Sequence, residues 1–245
     1  MNTRLARSLS VAALPLVIGS WFAVAAVPAA ADDSSAGPRY SYLDAGYQWT
    51  DINYAVKQEG GQHQGFKING SVALANFGPV GLHLFGEFFD GEFSGVRALC
   101  DGGEGGGSIN FGGDRDSQSL AGGLGVSYRM AENTDLVVRG AYVDISKFET
   151  PNSSCQLVSG SDDGYFAEGM LRSELSENVE IEAGFRYSDL SESNISNNDV
   201  LLGLGYHVTD YLTLRVRGVV FDDDTGFELG ARMYFGSFLG RDTIF

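Results

Sequence analysis

The sequence is short of most of what a soluble catalyst uses. Beyond Ala31 it holds no run of eighteen apolar residues, so the chain after that point offers no transmembrane helix. There are three histidines, His63, His83 and His207, and two cysteines, Cys100 and Cys155, among 245 residues. No Cys-x-x-Cys pair and no histidine beside a cysteine is present, which excludes a zinc site of the usual spacing. The glycine-rich stretch from Gly102 to Gly113 lacks a Gly-Lys-Ser/Thr ending, so it reads as a flexible surface loop and not a phosphate cradle. Basic residues are scarce too, with 16 Lys and Arg against 32 Asp and Glu. That balance excludes a nucleic-acid partner held through a basic patch. Nothing in the sequence implies a cofactor.

What is present begins with an export signal. Arg4 and Arg7 precede an uncharged apolar run from Leu9 to Val27, and Ala29 and Ala31 occupy the small-residue positions that a signal peptidase reads. Residues 1–31 are therefore expected to be a signal peptide; the alternative is a membrane anchor. The 214 residues that remain carry 14 Lys and Arg against 32 acids, a net charge of −18. In an oxidising compartment an even cysteine count points to a Cys100–Cys155 bridge, with two free thiols as the alternative. Closing a loop of roughly 55 residues would restrict the unfolded chain by about 4 kcal/mol in the entropy model.

The rest of the chain alternates. Val179, Ile181, Ala183, Phe185 and Tyr187 stand against Glu180, Glu182, Gly184 and Arg186, and Phe66, Ile68, Gly70, Val72 and Leu74 against Lys67, Asn69 and Ser71. This is the period of a strand with two unlike faces. Ten such strands are predicted, at about 40–50, 64–75, 80–90, 118–130, 134–145, 164–175, 178–189, 199–208, 211–221 and 226–235. Eight is the alternative count. Short links such as Asn76-Phe-Gly-Pro79 and Ser176-Glu-Asn178 alternate with longer connections at 51–63, 91–117, 146–163 and 190–198, and with the tight Asp222-Asp-Asp-Thr-Gly226. Aromatics on the apolar face gather at the two strand ends: Tyr47, Trp49, Phe66, Phe88, Tyr142, Tyr165, Tyr187 and Phe227 at one, Tyr128, Tyr206 and Phe235 at the other. Two such belts belong to a membrane barrel. The expected fold is all-β: a closed antiparallel transmembrane β-barrel over residues 40–235, with a short N-terminal segment at 32–39 and a tail at 236–245.

The last strand, Glu228-Leu-Gly-Ala-Arg-Met-Tyr-Phe235, resembles the polar-x-Gly-x-x-apolar-x-aromatic strand that outer-membrane barrels present to their assembly machinery. On Glu228, Gly230, Met233 and Phe235 the chain is similar to the small outer-membrane β-barrel superfamily, the OmpA-like and opacity-type barrels. The resemblance implies residence in the outer membrane of a Gram-negative bacterium, with lipopolysaccharide and the barrel-assembly machinery as partners and the N-terminus in the periplasm. Two departures stand out: residues 236–245 continue past the usual end, and ten residues are not expected to form a peptidoglycan-binding domain.

With this parity the interior holds Lys67, Arg129, Arg139, Arg172, Arg186, Arg215, Arg217 and Arg232 against Asp44, Glu87, Glu168, Glu174, Glu180, Glu182 and Glu228. Two readings follow, a lumen filled by ion pairs that neutralise one another or a narrow polar pore for a solute or ion. The remaining acids, among them Asp90, Asp116, Asp162 and Asp163, fall toward the longer loops. They form either a solvated rim or a trap for divalent cations shared with lipopolysaccharide phosphates. Asp222, Asp223 and Asp224 are the weak metal candidates, too tight for an EF-hand loop. Catalysis on such a barrel would need a base beside a nucleophile or an activated water. Only His63, with Asp51 or Asp90, stands near the loop end. The expected function is non-enzymatic, with disulfide-stapled acidic loops in a surface or envelope role; a channel and a lipid or peptide hydrolase are the alternatives.

Overall fold

A computed structural model describes residues 39–52, 61–94, 97–99, 108–110, 115–151, 157–191, 195–221 and 224–235. The chain divides into the units Met1–Ala31 and Asp32–Phe245. The expected signal peptide, the segment at 32–38, the tail at 236–245, Cys100, Cys155, Asp222 and Asp223 lie outside the described residues.

The strands are β1 (Tyr42–Ile52), β2 (Gly61–Phe77), β3 (Val80–Ser94), β4 (Arg97–Leu99), β5 (Ser108–Asn110), β6 (Arg115–Ala131), β7 (Thr134–Pro151), β8 (Leu157–Ser176), β9 (Val179–Leu190), β10 (Ile195–Thr209), β11 (Leu212–Phe221) and β12 (Asp224–Tyr234). Ten of them close into a barrel in the order β1-β12-β11-β10-β9-β8-β7-β6-β3-β2, each antiparallel to its neighbours. β4 and β5 pair separately, within the connection from β3 to β6. Closure follows from the solvent: in hydrocarbon every backbone N–H and C=O must pair within the protein, and only a sheet without edges achieves that.

The seam joins the first strand to the last. Gly46 lies opposite Gly230 there. A Cβ on Gly46 would stand 2.8 Å from the Leu229 carbonyl oxygen, and one on Gly230 would stand 2.7 Å from that of Ala45, so the close approach of β1 and β12 needs both glycines.

All ten expected strands form, and the eight-strand alternative is excluded. The boundaries differ chiefly at the long-loop end. β7 and β8 run for 18 and 20 residues, roughly twice the 9–11 that cross a bilayer, and take up most of the expected loop 146–163. Hydrophobic alternation is required only where one face meets lipid. Backbone pairing continues into water after that signal has faded. At the opposite end every short-turn hairpin carries a one-residue register shift, at Ala73/Ala75, Arg129/Ala131, Glu174/Ser176 and His207/Thr209. In bacterial outer-membrane barrels the end with short turns faces the periplasm.

The outer surface is apolar through its middle, where Leu124, Val138, Leu171, Leu202, Leu204, Leu214 and Leu229 are each about half exposed. In water this would be an aggregation surface; against lipid tails it is the ordinary face of the protein. Trp49, Phe66, Tyr142, Tyr165 and Phe227 ring this band toward the long loops. Phe77, Tyr128, Tyr206, Tyr211 and Phe235 ring it toward the turns. Phe77 closes β2 and Tyr211 lies in the β10–β11 turn, at the margins where strand parity gives little signal.

Candidate functional site

The inward-facing side chains form two connected groups of charges. Toward the long loops, an extended chain crosses the lumen. Arg139 on β7 donates from Nε to Glu168 on β8 at 2.8 Å. Arg186 on β9 donates to the other Glu168 oxygen at 2.8 Å, and from the same nitrogen to Glu87 on β3 at 2.9 Å. Because β9 and β3 are not neighbours in the wall, the Arg186–Glu87 pair spans the interior. Lys67 continues the chain, 3.7 Å from Glu87 and 3.6 Å from Glu228 on β12. Three cations thus meet three carboxylates.

Toward the turns, the arrangement is a hub. Glu182 on β9 accepts from Arg215 at 2.8 Å, Arg217 at 2.7 Å and Arg232 at 3.1 Å, and lies 3.7 Å from Arg172. Asp44 pairs with both Arg215 and Arg232. Glu180 accepts from Arg172 at 2.5 Å and from Arg232 at 3.2 Å. Arg172 on β8 also donates to the Tyr234 hydroxyl on β12 at 2.6 Å, a second contact across the lumen. A buried charge is tolerated only when it is paired and hydrogen-bonded in this way.

The turn end of the lumen is occupied by the chain's own Arg39 and Tyr40. The Tyr40 ring stacks on His83 at 5.0 Å, and its hydroxyl donates to Asp135 on β7 at 2.9 Å. Arg39 gives its carbonyl oxygen to Arg172 at 2.8 Å and donates to the carbonyl of Asp210 in the β10–β11 turn. These contacts reach well around the ring of strands from β1. Gly125 makes room for them, since a Cβ there would lie 2.1 Å from the His83 ring.

The interior is closely filled. Arg172 and Arg232 are 2% exposed, Tyr234 and Glu180 1%, and Thr213 0%. Side chains lining an aqueous channel would be reached by water. Aromatic rings complete the packing: the Arg186 guanidinium lies 4.1 Å from the Phe166 centroid, that of Arg139 4.9 Å from Phe85, and that of Arg232 4.3 Å from Tyr42. Phe85, Ala121, Ala141 and Phe166 form an apolar cluster among the charges.

Thirteen residues expected inside are brought together in the two groups: Asp44, Lys67, Glu87, Arg139, Glu168, Arg172, Glu180, Glu182, Arg186, Arg215, Arg217, Glu228 and Arg232. Arg129 sits at the turn-end rim, 3.7 Å from Asp135. Asp135 has the parity of Arg139 but opens its strand beside a turn, and sequence reasoning passed over it. The interior aromatics Tyr40, Tyr42, Phe85, Phe89, Phe166 and Tyr234 were missed as well, because an apolar residue at inward parity breaks the alternation that reveals a strand. Asp162, expected on the acidic rim, points inward and is 4% exposed.

The expected His63 site does not assemble. His63 stacks on Phe93 at 4.0 Å inside the barrel. Asp51 and Asp90 stand on the opposite face of their strands, taking hydrogen bonds from Gln62 at 3.3 Å and Gln118 at 3.4 Å. In the last strand, Glu228 faces the lumen, Gly230 closes the seam, and Met233 and Phe235 face lipid. Asp224 opens β12.

The closed ten-stranded fold with an apolar belt defines an integral outer-membrane β-barrel. The chain belongs to the family described as outer membrane protein beta-barrel domain, whose model matches residues 20–207. It resides in the outer membrane of a Gram-negative bacterium. Among solved structures it is similar to the beta domain of the Bordetella autotransporter Brka, at 13% identity, 81% of this chain, 100% of that chain and a TM-score of 0.47. It is similar also to the translocator domain of the autotransporter NalP from Neisseria meningitidis, at 11% identity, 92% of this chain, 97% of that chain and a TM-score of 0.45. Ail, the attachment invasion locus protein of Yersinia pestis, is similar at 16% identity, 79% of this chain, 97% of that chain and a TM-score of 0.38. No curated protein matches the chain.

Proposed function

We propose that this barrel is a non-enzymatic surface protein whose interior is a sealed scaffold and whose acidic outer loops do the work. The observation that carries the reading is the burial of Arg172, Arg232, Tyr234 and Glu180 toward the turn end of the lumen, each at most 2% exposed. A solute path would have to break the contacts that keep those charges paired, at about 3–5 kcal/mol for each buried pair disrupted. What remains for contact with the outside is the loop end. There Asp90 and Asp116 are exposed and Asp163 and Asp189 half-buried. Hard carboxylate oxygens suit calcium or magnesium held jointly with the phosphates of neighbouring lipopolysaccharide. A Cys100–Cys155 bridge would tie two of these loops together. The barrel-assembly machinery, reading the strand from Glu228 to Phe235, is the partner of biogenesis.

The test is capture of labelled lipopolysaccharide by protein in phospholipid nanodiscs, with calcium or with a chelator. Calcium-dependent capture that is lost on deleting residues 102–113 is expected. Capture that ignores both calcium and the deletion would overturn the loop reading.

A further inference from the structure

We propose that Glu174, Glu180 and His207 form an exchangeable binding site for a divalent transition-metal ion of the zinc type at the turn end of the lumen. The three residues project inward from the adjacent strands β8, β9 and β10, and their candidate ligand atoms lie within 4.8 Å of one another. Zinc bonds of about 2.0–2.2 Å to nitrogen and oxygen place tetrahedral ligands about 3.3 Å apart, so small side-chain rotations close the set.

Two features of the surroundings suit a cation. The first is the imidazole. His207 Nδ1 shares a 2.6 Å hydrogen bond with Thr213 Oγ1, which fixes the ring, while Nε2 is buried and has no hydrogen-bond partner. A ring held through one nitrogen with the other left open is the posture of a metal-ligating histidine, and Thr213, wholly buried, holds it there.

The second feature is the pair of carboxylates. Glu174 lies directly opposite Glu180 on the inner face of the β8–β9 ladder, where like charges repel. Arg172 and Arg232 neutralise Glu180. No cation within salt-bridge distance answers Glu174 among the described residues. Gly205 lines the same spot; a Cβ there would stand 3.0 Å from Thr213 and 3.4 Å from Glu180.

The two guanidiniums beside Glu180 set the character of the site. They hydrogen-bond the ligating carboxylate and leave lone pairs for the ion. They also repel a dication. The site is therefore weak and exchangeable, with three protein ligands and a coordination position left for water or a solute from the turn side. Imidazole nitrogen with two carboxylates favours zinc, cobalt or manganese over calcium.

The experiment is zinc titration of tag-free, folded protein in detergent, in excess calcium to occupy the acidic loops, with cobalt absorption as a second readout. Saturable uptake of a single ion is expected, weakened at least about tenfold in Glu174→Gln and in His207→Ala and unchanged in His63→Ala. A heat-dependent mobility shift on gels confirms that each variant is folded. Equal binding by wild type and both ligand variants, or no binding by folded wild type, would overturn the site.

Discussion

The two charged groups of the interior are built from the same residue types but behave as different machines. The group toward the loops is a chain: Arg139, Glu168, Arg186, Glu87, Lys67 and Glu228 follow one another, and most members touch two neighbours. The group toward the turns is a hub, with four guanidiniums converging on Glu182. A chain that loses an end link keeps its other pairs. A hub that loses its centre leaves several cations buried and facing one another, at a cost much larger than any single pair.

That difference is open to direct attack by urea unfolding of the barrel in lipid or detergent. Removing the hub with Glu182→Ala should be the most damaging change, lowering stability by about 3–5 kcal/mol or preventing folding. Glu168→Gln, in the middle of the chain, should cost about 1.5–3 kcal/mol, because it weakens its bonds to Arg139 and Arg186 while leaving Glu87 to hold Arg186. Gly125→Val should fall in a similar or slightly lower range, about 1–3 kcal/mol, since its side chain drives the His83 ring away from Tyr40. Lys67→Met should have the smallest effect, about 1–2 kcal/mol, as its two contacts are long and an apolar stem of similar size remains, although buried Glu228 loses the cation beside it. If Glu182→Ala and Lys67→Met cost the same, the distinction between hub and chain is wrong.

Much of this was legible in the sequence because the bilayer imposes a simple rule. Wherever one face of a strand meets lipid and the other meets packed charges, as in Val179 to Tyr187, the period of two survives and assigns each residue its side. The rule fails in three places for physical reasons. Beyond the bilayer, in β7 and β8, water accepts either face and the alternation fades although pairing continues. Inside, Phe85 and Phe166 are apolar at inward parity because guanidinium faces pack on rings, so the lumen is not uniformly polar. At the turns, Asp135 opens its strand and escapes the count, while Glu174 is placed inside correctly but its meeting with Glu180 and His207 is not announced. Their meeting depends on which strands are neighbours, and a one-dimensional pattern does not carry that. Tyr40, expected to open the first strand, instead precedes it and packs on His83, a contact that periodicity does not carry.

The central claim is that the two groups, with Tyr40 across the turn end, leave no aqueous path. Single-channel recording of the wild-type protein in planar bilayers at physiological salt tests it most directly. A silent membrane is expected at every insertion verified by protein content. Reproducible conductance steps whose ion selectivity changes on charge reversal at Arg215 or Glu182 would contradict it.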